Sequence, residues 1–206
     1  VFRELRKNEI FDPLTLYPVA PFTQARFYGE WQKSLGREAR RFVILSEGGT
    51  IAYFQLIKYP LFRNKSYFYI PYGPITKDFS TGFFANLKKE LTGVAIIENA
   101  VFVRLDFSPP IPNDILSKFF TSAPFYTYHS AYFQPRAEWW LDLSKSETEL
   151  LGEMQKKTKY NVYWAERQGI TTEIITSGFE KYFPIFYELI SSTAWRNGFN
   201  LHRKNY

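Results

Sequence analysis

The chain has no cysteine among its 206 residues. Disulfides, thiol nucleophiles and cysteine-bound metals are thereby excluded, and the absence fits a reducing, cytoplasmic setting. Long apolar runs are missing too. The longest, Gly93 to Val103, is broken by Glu98 and Asn99, so nothing in it spans a bilayer. No secretory signal is visible, although the chain opens on Val1 rather than an initiator methionine, and a longer N-terminus is expected. Histidine is scarce: His129 and His202 have no metal-binding spacing, and neither a metal nor a cofactor is expected. The sequence lacks a Gly-x-Ser-x-Gly elbow, a Gly-x-x-x-x-Gly-Lys phosphate loop and a Gly-x-Gly-x-x-Gly fingerprint. Serine-hydrolase, kinase, ATPase and dinucleotide-enzyme readings lose their usual support. No solenoid-period repeat or low-complexity segment occurs.

Aromatic residues are abundant instead, at 20% of the chain, with 21 Phe, 15 Tyr and 5 Trp. Most of them must pack in a core, while Tyr and Trp also suit sites where a ring stacks and donates a hydrogen bond at once. The formal net charge of +6 favours anionic partners: nucleic acid, phosphorylated small molecules or an acidic membrane surface. The basic residues are dispersed apart from short clusters at Arg37/Arg40/Arg41, Lys156/Lys157/Lys159 and Arg203/Lys204, and a solvated positive surface accounts for most of them.

Hydrophobic periodicity predicts a mixed order of elements. A helix is expected from Thr23 to Leu35, with Thr23 as N-cap, Phe27, Trp31 and Leu35 as its apolar stripe and Gly36 as its stop. Arg41–Ser46 and Ile51–Tyr59 alternate as strands around the hairpin turn Glu47-Gly48-Gly49-Thr50. A strand at Ser66–Ile70 leads into Pro71-Tyr72-Gly73-Pro74, where two prolines and a glycine force a rigid corner that holds Tyr72. A helix at Ser80–Thr92 and a buried strand at Ala100–Phe107 follow. Beyond the Pro-rich segment 108–113, a short helix ends near Phe120, and strands are expected at Tyr126–Phe133 and Glu138–Leu143. Ser146 and Glu149 form a capping box for a helix to about Met154. A helix at Thr158–Gln168, a strand at Ile170–Thr176 and a helix at Phe179–Trp195 complete the reading. An α/β layered fold results, with one domain over 1–135 and the opening of a second over 136–206.

Several residues carry both a chemical and a structural reading. Lys159 and Tyr163 lie four apart on one helix face, near its start, where free N–H groups and the helix dipole favour phosphate. The same spacing also describes an ordinary amphipathic helix with a solvated lysine. Lys33 lies off the apolar stripe of the first helix and reads equally as a surface lysine. Asp78 is either a cap for the next helix or an acid/base group.

Five motifs in a fixed order go further. They are Pro-Phe-x-Gln-x-x-x-x-x-x-Trp-x-Lys at 21–33, Tyr-x-Pro-x-Gly-Pro at 69–74 and Leu-Asp-Leu-Ser at 141–144. Lys-Thr-Lys-Tyr-Asn-Val-x-x-Ala at 157–165 and Thr-x-x-Arg-x-x-Phe at 193–199 complete the set. In this order the chain resembles the FemABX-type peptidoglycan-bridge aminoacyltransferases, built from two GNAT-like (acetyltransferase-like) domains. The resemblance implies a GNAT-like mixed sheet with flanking helices, followed by the start of a second GNAT-like domain. It implies a cytoplasmic enzyme of the EC 2.3.2 type, acting in cell-wall synthesis and cell shape. The amino acid would move from aminoacyl-tRNA to the stem-peptide amine of a peptidoglycan precursor, either a UDP-muropeptide or a lipid-linked one. Peripheral contact with the inner face of the membrane would follow from the lipid-linked case.

By the same resemblance, Lys33 would contact the phosphate region of the acceptor and Tyr72 would line its cleft. Lys159, where the family usually has arginine, and Tyr163 would hold phosphate or sugar, and Tyr206 would line the pocket. Asp78 stands one residue late relative to the acid that some members place after the corner, and is the candidate base. The 206-residue piece alone is expected to bind acceptor weakly and not to turn over. Two other classes remain open. One is a GNAT-fold acyltransferase using acyl-CoA, although no Arg/Gln-x-x-Gly-x-Gly/Ala pyrophosphate loop follows any expected strand. The other is a non-catalytic module whose aromatics stack on sugar or bases.

Overall fold

The structure, a computed structural model, describes residues 1–17, 20–107, 114, 134, 139–202 and 204. The chain divides into two compact units, Val1–Arg136 and Ala137–Tyr206.

The first unit is built on a six-stranded sheet. Its strands are β1 (Phe2–Glu4), β2 (Glu38–Ser46), β3 (Gly49–Pro60), β4 (Ser66–Ile70), β5 (Ile75–Thr76) and β6 (Ala100–Leu105). The order is β1-β2-β3-β4-β6, with β5 also paired to β3. Every pairing is antiparallel except β4 with β6. The expected hairpin is present, with Ser46 opposite Gly49 and Gly49 at φ 109°, a value that only glycine adopts readily.

Side chains alternate across the sheet, and each face has its own cover. Phe42, Ile44, Ala52, Phe54, Leu56, Phe68 and Ile70 point to one face, where α2 (Thr81–Ile97) adds Phe83, Phe84, Leu87 and Leu91. Burying each such Phe or Leu contributes about 1.5–3 kcal/mol. Ser80 caps α2 through its side chain, which accepts from the Phe83 amide, and the helix runs five residues beyond the expected end at Thr92. On the opposite face Val43, Tyr53 and Ile75 pack with Leu5 and Leu16. That face also receives α1 (Arg26–Ser34).

The first helix departs from its expected form. Thr23 is not its N-cap but sits in a short 3-10 turn at Phe22–Gln24, and α1 starts after Ala25 without a side-chain cap. The buried positions are Tyr28, Gly29 and Gln32, whereas Phe27 is 62% exposed. Polar glutamines on the facing surfaces displaced the apolar stripe as the packing face. The strand at 100–107 is also less buried than expected, since Val101 and Phe102 are exposed at the rim of the sheet, with Phe102 stacked on Tyr67.

In the second unit the capping box forms as expected. Ser146 and Glu149 exchange hydrogen bonds at the start of α3 (Glu147–Glu153). Helices α4 (Lys156–Arg167) and α5 (Phe179–Asn197) follow, and α5 is bounded by Gly178 and Gly198, both left-handed. The strand expected at Ile170–Thr176 is not formed, nor is residue 139–143 a strand. A strand needs a neighbouring backbone, and none of the described residues pairs with either segment. The short helix near Phe120, the strand at Tyr126–Phe133 and His129 lie outside the described residues.

Candidate functional site

The corner between β4 and β5 is the most constrained feature of the first unit. Strand β3 pairs with β4 from Ile57 to Pro60 and with β5 at Ala52 and Tyr53. Along the intervening stretch, Phe54 to Leu56, this edge of β3 therefore faces the corner instead of a strand, while its other edge stays paired to β2. Unpaired buried backbone groups there would be costly. Gln24 fills the gap. Its Oε1 accepts from the Gln55 amide at 2.7 Å and its Nε2 donates to the Pro71 carbonyl at 2.5 Å. Thr23 Oγ1 donates to the same carbonyl at 3.2 Å. Gln55 Nε2 in turn donates to the carbonyls of Thr23 and Ala25, which fixes the turn ahead of α1. Thr23, Gln24 and Gln55 are all buried.

The corner is held from its other side by Asp106. The Gly73 amide donates to the Asp106 carbonyl at 2.9 Å, and the Asp106 amide donates to the Ile70 carbonyl at 3.2 Å. A Cβ at Gly73 would lie 2.8 Å from Gln24 Nε2 and 2.9 Å from Ile70 Cγ2, so glycine is required by space. Between these two anchors stands Tyr72, half-buried, with φ 50°. A non-glycine residue in this region costs about 1–2 kcal/mol, which the flanking hydrogen bonds offset.

The side chain of Asp106 organises a second cluster. Tyr69 Oη donates to Asp106 Oδ2 at 2.6 Å, and Arg104 Nε donates to Asp106 Oδ1 at 3.2 Å. Gln134 Nε2 donates to Tyr69 Oη. Burial, reinforced by the Asp106 carboxylate, holds the Tyr69 phenol well above its ordinary range, so it serves as a donor and not as a phenolate.

The residues singled out from the sequence fall as follows. Tyr72 and Asp78 flank β5. Asp78 is not the cap of α2, a role that Ser80 takes; its Oδ1 accepts from the Ser80 amide at 2.7 Å. Lys33 is exposed near the C-terminal end of α1, where it pairs with Glu30 at 3.0 Å. The hydrogen bond from Lys33 lowers the Glu30 carboxyl. In the second unit, Lys159 and Tyr163 share one face of α4, with Lys159 half-buried and Tyr163 39% exposed. Tyr206 lies outside the described residues. Among the described residues no group of histidine and carboxylate side chains could hold a metal ion, and no helix is long and apolar enough to cross a membrane.

Sequence reasoning did not assign roles to Thr23, Gln24, Gln55 or Asp106. One signal is present in the sequence: Gln24 is the glutamine of the Pro-Phe-x-Gln motif that carries part of the family resemblance. Gln55 and Asp106 carry no local signal, because only the fold brings them to the corner.

Comparison with known proteins bears on the segment that contains α4. The family model described as the FemAB family matches residues 123–206. Over this segment, less than half of the chain, the sequence is similar to the FemAB family. The crystal structure of FemX superposes on 91% of the chain with a TM-score of 0.65 at 18% sequence identity, and 48% of FemX is covered. The fold is thus that of FemX, a GNAT-like mixed sheet with flanking helices, and the chain spans about half the length of FemX. An acetyltransferase of Trypanosoma brucei aligns at 14% identity and TM-score 0.40, over 68% of this chain and 99% of that one. Glucosamine-6-phosphate N-acetyltransferase from Arabidopsis thaliana aligns at 18% identity and TM-score 0.35, over 51% and 74%. Scores this low bear no further argument. No curated protein sequence matches the chain.

Proposed function

We propose that this FemABX-type chain belongs to an aminoacyltransferase that moves an amino acid from aminoacyl-tRNA to the stem-peptide amine of a peptidoglycan precursor. The observation that carries the reading is the FemAB match over 123–206, which includes the Lys159–Tyr163 motif. Residues 1–135 are then a first GNAT-like domain, and 136–206 the opening of a second.

The reaction is aminolysis of an activated ester. The acceptor nitrogen attacks the ester carbonyl, a C–N bond forms, and the C–O bond to the tRNA ribose breaks as its oxygen takes a proton. Positioning of the two substrates supplies most of the acceleration, and dipoles aimed at the tetrahedral oxyanion add to it. No covalent enzyme intermediate is needed, in keeping with a chain that lacks cysteine. The acceptor ammonium must first lose a proton, and Asp78 is the proposed acceptor, with Oδ2 left over by the Ser80 contact. Tyr72 lines the acceptor cleft from its clamped corner. Lys33 meets the acceptor's phosphate region, Lys159 and Tyr163 hold phosphate or sugar, and Tyr206 lines the pocket. The net charge of +6 suits both a diphosphate and tRNA.

Lysine at 159 supplies charge without the two-pronged fork of arginine, so the phosphate contact is a point-charge contact. Calorimetric titration of the full-length protein with a UDP-linked muropeptide tests the acceptor half. Saturable binding that weakens about tenfold in Lys159→Ala and in Tyr72→Ala is expected, of the size of one charge-assisted contact. Absence of binding, or binding indifferent to both substitutions, overturns the assignment.

A further inference from the structure

We propose that Gln24 is a positioning residue for Tyr72: its side-chain amide substitutes for the strand residue missing between β4 and β5 and thereby sets where the Tyr72 ring stands. The inference rests on the acceptor-cleft role given to Tyr72 above and deepens it.

Three observations converge. First, β3 stays paired to β2 but has no strand on its other edge from Phe54 to Leu56, where β4 has ended and β5 has not begun. Second, an amide group presents one donor and one acceptor, like a peptide unit, and Gln24 uses both. It takes the Gln55 N–H that a strand carbonyl would take, and offers its own N–H to the Pro71 carbonyl. Third, the residue after Pro71 is Tyr72, whose backbone sits at φ 50° although it carries a side chain. Such a conformation persists only where the surroundings over-determine it. The surroundings here are Gln24 and Thr23 on the Pro71 carbonyl and Asp106 on the Gly73 amide. Gln24 itself is 0% exposed and cannot meet a ligand. Its influence must pass through the corner.

A charge or an apolar group at position 24 breaks the device in different ways. Gln24→Glu keeps an acceptor for the Gln55 amide but sets a carboxylate oxygen against the Pro71 carbonyl. Gln24→Met keeps the length and removes both bonds. The control is Gln32→Met, in the adjoining helix α1 and equally buried, whose partners are Arg37 and Tyr59 and not the corner. Gly73→Ala presses on the Gln24 amide from the opposite side and leaves residue 24 intact, so it serves where a Gln24 variant does not fold.

The experiment uses the full-length protein, with thermal midpoint, affinity for a UDP-linked muropeptide and hydrogen exchange of the backbone amides of residues 72 and 73 read on each variant. Gln24→Met and Gly73→Ala should raise the dissociation constant by about tenfold or more, and Gln32→Met should leave it within about twofold at a comparable loss of midpoint. Exchange of the amide at position 73, corrected for its intrinsic rate, should accelerate in the first two variants and not in the third. If Gln24→Met and Gln32→Met shift affinity equally for equal lost stability, Gln24 is only a packing residue and the inference fails. If the wild-type protein binds no muropeptide, the functional reading fails by itself, and exchange of the 72 and 73 amides then decides the positioning claim. Unchanged exchange in Gln24→Met overturns it.

Discussion

Two glycine-to-alanine substitutions in helices of the first unit should shift stability in opposite directions. Gly29 lies in α1 and Gly93 in α2, and on helix propensity alone alanine favours each by about 1 kcal/mol. At Gly93 a new Cβ meets nothing within 4 Å, so the propensity gain is realised in full. At Gly29 the new Cβ lands on Gln55 Oε1. The end of a glutamine side chain usually swings aside at little cost, but this one is pinned. Its Nε2 donates to the Thr23 carbonyl at 3.1 Å and to the Ala25 carbonyl at 2.7 Å, and the residue is 0% exposed. Moving it sacrifices those two hydrogen bonds, each of about 1 kcal/mol, and adds overpacking of about 1–3 kcal/mol. After subtracting the propensity gain, Gly29→Ala should cost about 2 kcal/mol or more. For a chain of this length that lowers the thermal midpoint by about 4–8 °C, while Gly93→Ala raises it by about 2–4 °C. Differential scanning calorimetry on both variants in the full-length protein reads the difference. A Gly29→Ala midpoint at or above wild type would show that the glutamine network is loose, and the clamp on the Tyr72 corner would lose its basis.

Further expectations follow from local chemistry. Glu30→Gln removes the carboxylate that occupies Lys33 and should tighten binding of a phosphate-bearing acceptor by about twofold, the size of an exposed helix ion pair, whereas weaker binding would place Lys33 away from the phosphate. Burial pushes the Tyr53 phenol up to about 12. Its folded value is above the unfolded one, so the stability it contributes is complete below about pH 10 and is lost as pH rises toward 12. Tyr53→Phe should flatten that alkaline limb in a series of thermal midpoints, and an unchanged limb would contradict the burial assignment. Ser146→Ala removes one half of the capping box and should cost about 1 kcal/mol of α3 stability, visible as faster amide exchange at Glu149. Exchange that does not change would mean the box does not hold the helix.

Strands β2, β3, β4 and β6 were legible because they are long enough to show apolar residues bounded by turn signals, whereas β1 and β5, of three and two residues, carry too short a pattern. Glu47-Gly48-Gly49 announced the first hairpin, and Ser146 with Glu149 announced a helix start by local hydrogen-bonding chemistry, whereas the cap of α2 fell to Ser80 and not to Asp78. The first helix was misjudged for a physical reason. Its apolar residues at Phe27 and Trp31 suggested a hydrophobic seam, yet the facing surface of β3 offers Gln55, and the helix turns Gly29 and Gln32 toward it. A pattern of hydrophobicity cannot reveal a polar interface whose partners lie 30 residues apart. The shared face of Lys159 and Tyr163 on α4 was legible from their four-residue spacing, and so was the corner at Tyr72, where proline and glycine dictate the backbone. Its supports were not, since Gln24, Gln55 and Asp106 meet only after β3, β4 and β6 assemble. The segment Ile170–Thr176 shows the converse: β-branched composition favours a strand, but without a paired neighbour the ladder does not form.

The mass of the acceptor after incubation with the full-length protein bears most directly on the assignment. A UDP-linked muropeptide is mixed with enzyme and either charged tRNA or acetyl-CoA. An increment of one or more aminoacyl residues, present with charged tRNA and absent with acetyl-CoA, is the predicted result. An acetyl increment, or an unmodified acceptor in both mixtures, would contradict it.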